Sequence, residues 1–168
     1  RSGNYSQLRL VERLDIYIAA NLDTDGTARY YRAISLAKVQ RYEEAVKDFS
    51  YFIANYPTHP KWAIAWYGDL NYSIATPGLA FTQWFYLDQH TKAAQTLRDF
   101  AAVAPSDPLA MEYLMTAARI LERDNQLKDA AILWETIADQ FPGNSNAGDA
   151  IFLAGISFGY YVMLPYIL

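Results

Sequence analysis

The chain has no cysteine, which excludes disulfides, thiolate metal sites and cysteine nucleophiles but does not fix a compartment. Histidine is nearly as scarce. His59 and His90 are the only two, and neither has a partner at metal-ligand or triad spacing. His59 is assigned to a turn and His90 to a helix start. Basic runs are missing as well: 14 Lys and Arg are scattered among 18 Asp and Glu, so no nucleic-acid partner is expected. There is no phosphate-cradling glycine loop and no nucleophile elbow, and neither a cofactor nor a catalytic site is expected. The sequence opens Arg-Ser-Gly rather than on Met, so a processed or trimmed product is expected, any signal peptide being gone.

What is abundant is apolar and aromatic. Hydrophobic types make up 52% of the 168 residues, with 14 Tyr, 8 Phe and 4 Trp, enough for one domain or one compact repeat array with a continuous core. Three segments share a pattern: AVKDFSYFIANYP (45–57), AAQTLRDFAAVAP (93–105) and AAILWETIADQFP (130–142). Each has Ala first, large apolar residues at the fifth and eighth positions, and Pro at the thirteenth. The sets are Ala45/Phe49/Phe52/Pro57, Ala93/Leu97/Phe100/Pro105 and Ala130/Trp134/Ile137/Pro142. Offsets of four and seven put the three apolar residues on one helical stripe, and the Pro ends the helix. These twelve positions define the expected core of the repeat. A second helix precedes each segment, so the unit is an antiparallel pair, with Ala at the crossing to let the helices approach closely. Asp107 before Pro108 reads as a helix cap, and Ser145 as the cap of the last helix. The apolar insertion TPGLAFTQWFYLDQH (76–90) lengthens the second pair.

Residues 26–59 resemble the tetratricopeptide-repeat family, with Ala33, Leu36, Tyr42, Ala45, Phe49 and Pro57 at its signature spacings. The second pair departs through its insertion and the third through two or three extra residues; neither has the family's early Trp in register. The resemblance implies an all-α fold, a right-handed solenoid of antiparallel helix pairs, and work through protein–protein contact. The expected boundaries are an N-terminal helix over 5–20, helix pairs over 27–57, 60–105 and 108–142, and a terminal helix over 145–164, all in a single domain. The phrases ILWETIADQFP and AIFLAGISF are also similar to helical arms of bacterial envelope proteins, including the superhelical arm of soluble lytic murein transglycosylases. The catalytic Glu, its accompanying Ser and the Gly-Leu-Met-Gln segment of those enzymes' lysozyme-like domain are absent, so a non-enzymatic chain is expected.

One stretch, NLDTDGTARYYR (21–32), imitates a calcium loop: Asn21, Asp23 and Asp25 alternate before Gly26. Position twelve of such a loop must be a bidentate Glu, and here it is Arg32; position nine is Arg29. The stretch therefore reads as a joint, with Gly26 in a left-handed turn and Asp25 or Thr27 capping the next helix. Glu112, Glu122 and Glu135 read as ordinary surface charges. Trp62 and Trp66, four apart, read as core; Trp84, Phe85 and Tyr86 in the insertion form a candidate contact for a ligand or partner.

The ends carry the functional expectation. A solenoid's last helix normally wears a polar outer face, yet AIFLAGISFGYYVMLPYIL has none, and no residue from Ala150 to Leu168 is charged. Gly155, Gly159, Pro165 and three tyrosines make it a poor membrane span. Covering one more face of about 500 Å2 would contribute on the order of 10 kcal/mol before entropic losses. Three covers rank in order: another copy of the chain, the remainder of a longer chain, and a membrane against 150–168. In the first, Leu8, Leu10, Val11, Leu14 and Tyr17 of one copy dock on Ile156, Phe158, Tyr160, Tyr161, Val162 and Leu164 of the next, a head-to-tail contact that gives a ring, filament or tube. The expectation is a self-assembling structural subunit of the cell envelope or exterior. A second reading is a peptide- or glycan-binding arm of a larger envelope protein.

Overall fold

The computed structural model describes the backbone over residues 2–69 and 76–167 and side chains within 5–69 and 76–159. The fold is all-α, with sequence-adjacent helices packed on one another. The chain forms two compact units, 1–89 and 90–168, whose boundary falls within the expected pair over 60–105.

In the first unit α1 (Ser2–Ala19) packs on α2 (Thr27–Lys38), α2 on α3 (Tyr42–Asn55), and α3 on the six-residue α4 (Trp62–Tyr67). Gly68–Asp69 (β1) and Thr76–Pro77 (β2) then pair antiparallel, Gly68 opposite Pro77. The insertion continues as α5 (Leu79–Phe81) and a π-helical turn, Thr82–Tyr86, both against α3. This fold-back is why the unit closes on itself: Leu79 joins the core of Val11, Tyr30, Phe49 and Phe52. In the second unit α6 (His90–Val103), α7 (Leu109–Arg123), α8 (Leu127–Gln140) and α9 (Ala147–Ile167) pack in succession.

The apolar stripes are fully buried: Ala45, Phe49 and Phe52 on α3, Ala93, Leu97 and Phe100 on α6, and Ala130, Trp134 and Ile137 on α8. Leu97 and Phe100 lie in the second unit, where α6 packs on α7. Phe100 lies against Tyr113 of α7, ring centroids 4.8 Å apart. Pro57, Pro105 and Pro142 are exposed, two residues past the ends of α3, α6 and α8, so they terminate helices rather than join the core.

The α2–α3 and α7–α8 joints use one device. Gln40 and Asn125 take left-handed φ of 66° and 58°, and the following N–H closes onto a carbonyl five residues back, Arg41 to Leu36 and Gln126 to Leu121. Asp107 accepts from the Leu109 N–H at 2.9 Å as expected of a cap. Before α9 it is Asn144, not Ser145, that accepts a backbone N–H, from Asn146 at 3.0 Å.

Candidate functional site

The loop that imitates a calcium site is a set of helix caps. The Asp23 carboxylate accepts the Ala28 N–H at 2.9 Å and the Arg29 N–H at 3.1 Å. Asp25 accepts the Thr27 N–H at 2.9 Å, and that bond holds the Asp25 carboxyl below its ordinary range. Gly26 sits at φ 84°, and a Cβ there would overlap the ring of Tyr56. Both carboxylates thus serve the free N–H groups at the start of α2. His59 completes the joint as part of a turn, its Nδ1 accepting from the Lys61 N–H and its Nε2 3.0 Å from Thr27 Oγ1. His90 begins α6, 2.9 Å from Asp124. Among the described residues no cluster of three or more potential ligands could hold a metal.

Two polar clamps escaped the sequence reading. Arg32 donates through Nε and Nη2 to buried Asp48 at 2.6 and 2.7 Å, and through Nη1 to Asp15 at 2.6 Å, tying α1, α2 and α3 together. The bonds to Asp48 push the guanidinium still further above its ordinary pKa. Arg29 adds a 3.3 Å contact to Asp48 and lies over the Tyr51 ring, 3.9 Å from its centroid. In the second unit Glu122 is no ordinary surface charge. One of its oxygens accepts from Trp134 Nε1 at 2.8 Å and from Ser157 Oγ at 2.9 Å, joining α7, α8 and α9.

The aromatics divide. Trp66 is buried, and Trp62 packs edge-on against it while its indole donates to the Ile53 carbonyl at 2.9 Å. Phe85 and Tyr86 are exposed and Trp84 is half-buried. Tyr86 stacks on Tyr42 with centroids 4.5 Å apart, and Phe81 stacks on Phe85 at 5.2 Å. The π-helical turn therefore presents a continuous aromatic surface.

The expected docking faces are partly redrawn. On α1, Leu8, Leu10 and Tyr17 are exposed and Leu14 is half-buried, but Val11 is only 1% exposed in the unit's own core, because it falls on the side of α1 facing α2. Ile16, not among the expected contacts, is 72% exposed. On α9, Ile156 is exposed and Phe158 half-buried. The side chains of Tyr160, Tyr161, Val162 and Leu164 lie outside the described residues. The side of α9 turned inward carries Ala147, Ala150, Ala154 and Ser157, all buried, while Ile151 and Phe152 are 64% and 68% exposed. This inverts the usual helix: small residues face in and bulky apolar ones face out. Among the described residues no helix is long and apolar enough to cross a membrane.

Residues 27–59 match the family model of the tetratricopeptide repeat, and they are the stretch that folds as α2, α3 and the turn through His59. The chain carries a tetratricopeptide-like helical repeat. Such repeats bind protein partners and are typically non-catalytic scaffolds, so the repeat marks a protein–protein interaction module. No curated protein matches the chain, and nothing in these comparisons supports the likeness to transglycosylase arms.

Proposed function

We propose that this chain is a non-enzymatic structural subunit that assembles with copies of itself, head to tail, at the cell envelope or exterior. The observation that supports it is the inversion of α9. Ile151, Phe152 and Ile156 together leave a bulky apolar face in water, the kind of patch that marks a contact surface. The exposed Tyr5, Leu8, Leu10, Ile16 and Tyr17 of α1 supply a second, different apolar surface. Two unlike surfaces favour a heterologous contact over a two-fold one. The test is light scattering over a concentration series. The intact chain should self-associate, and Phe152→Glu with Ile156→Glu should abolish this while helical circular dichroism persists. A stable monomer at every concentration overturns the reading.

The aromatic surface around Phe85 supports a second reading, a peptide- or glycan-binding arm. Stacked rings on a half-buried helix suit the flat faces of sugars or proline rings. Titration with peptidoglycan fragments and with proline-rich peptides, read through Trp84 fluorescence, tests it. A response that survives Phe85→Ala counts against this surface.

A further inference from the structure

Between α8 and α9 runs an open groove of about 520 Å3, with Ile151, Ala154, Gly155 and Phe158 on one wall and Glu135 and Asp139 on the other. Its charge is one-sided. From Asp129 to Leu168 the sequence holds Asp129, Glu135, Asp139 and Asp149 and no Lys, Arg or His. Among the described residues, no cation pairs with Glu135 or Asp139. The occupant that fits such a groove is an amphipathic helix offering two cations one turn apart beside apolar side chains.

The chain contains one. On α1, Val11 faces the core and Asp15 is taken by Arg32, which leaves the opposite side to solvent. That side carries Arg9 and Arg13 flanked by Tyr5, Leu10, Ile16 and Tyr17, all exposed. Neither arginine pairs with a carboxylate among the described residues; Arg9 only approaches the Tyr5 ring, at 6.0 Å. The two arginines are four residues apart on α1, and the two acids are four apart on α8. Both pairs therefore repeat at about 6 Å along their helices.

We propose that this groove receives α1 of a second copy, with Arg9 and Arg13 set against Glu135 and Asp139. The assignment rests on the self-assembly reading and gives that contact its surfaces and register. The apolar wall of α9 supplies the burial, and the paired charges fix the direction in which the helix lies and exclude a groove-to-groove contact, which would bring four carboxylates together.

Two charge-reversal variants test it, Arg9→Glu/Arg13→Glu and Glu135→Arg/Asp139→Arg, each confirmed helical by circular dichroism. Each alone should weaken self-association at least about tenfold. Mixing the two should restore it, because each variant's altered face then meets its complement, and the chain with all four changes should associate within about threefold of the original. Loss in each variant without recovery on mixing overturns the pairing. If the unaltered chain associates and both variants do so equally well, copies meet through other surfaces: this assignment falls and the self-assembly reading stands. If the unaltered chain never associates, both fall. Should a reversal prevent folding, the neutral pair Arg13→Gln and Glu135→Gln replaces it in a double-mutant cycle, where additive losses count against contact and non-additive losses support it.

Discussion

The two units solve the same packing problem with different materials. The first has large rings at its centre, with Tyr30 tilted against Phe52 at 5.2 Å, and sets its helices by a buried carboxylate, Asp48, gripped by half-buried Arg32. The second is built on small residues: Ala93, Ala110, Ala117, Ala118, Ala130 and Ala131 are all at most about 2% exposed, and Trp134 is its largest fully buried side chain. Rings fill space but leave helix register loosely determined, because aromatic pairs tolerate several tilts. A bidentate arginine does not. Alanine contacts determine spacing by themselves, since two backbones meet at one closest distance, and a single shared carboxylate, Glu122, is enough to finish the job. Polar clamping is heaviest where packing is least specific.

That contrast can be broken at its centre first. Trp134→Ala should cost about 3–5 kcal/mol, the surrounding alanines being too short to close the cavity; Phe49→Ala in the first unit should cost less within that range, since neighbouring rings can tilt inward. Urea denaturation with an unchanged m-value checks both. Next, Arg32→Met leaves Asp48 buried with only the long Arg29 contact, and should cost about 3 kcal/mol. Removing both charges, with Asp48→Leu added, should recover most of it if the clamp acts by specificity rather than by net energy. Third, alkali should weaken the first unit. Burial raises the Tyr30 phenol to about 12, whereas in the unfolded chain it ionises near 10. Between those values the unfolded state has lost a proton that the folded state keeps, so stability falls as pH rises, by on the order of 2 kcal/mol in total. Tyr30→Phe should flatten that part of the denaturation-midpoint curve, and an unchanged slope would show that other phenols carry it. Smallest is Glu122→Gln, which keeps an acceptor for Trp134 and Ser157 but removes the charge; about 1 kcal/mol is expected, with faster amide exchange in α9.

Much of this was legible in the sequence because it is local. The four-and-seven spacing of Ala45, Phe49 and Phe52, and of its two echoes, is a property of one helix, and a proline marks the end of each. Spacing names the buried stripe but not the helix it meets: it marks Leu97 and Phe100 as buried without saying that α6 packs on α7. The same locality puts Arg32 where a calcium loop needs its closing Glu. The clamps were not legible, since Arg32 and Asp48 lie 16 residues apart and Glu122 and Ser157 lie 35 apart, and no periodicity reports a contact between helices. Ser157 is the available signal, as an aliphatic hydroxyl buried in an apolar helix needs an acceptor. For α9 the difficulty was different. Ala150, Ile151, Phe152 and Ala154 are all apolar, so hydropathy assigns no face; only side-chain size separates the wall that touches α8 from the one left open. Val11 was misplaced for a related reason, its neighbours Leu8 and Leu10 being equally greasy.

The depth at which Asp48 lies has a practical consequence. Dissolved ions screen charge within about 8 Å at physiological strength, and they do so far less for groups out of reach of water. Arg9, Arg13, Glu135 and Asp139 are exposed to solvent, while Asp48 is buried and Arg32 half-buried. Added electrolyte should therefore loosen the contact proposed between copies long before it loosens what lies within one, so that an assembly held through those outer charges should come apart and re-form with nothing harsher than salt.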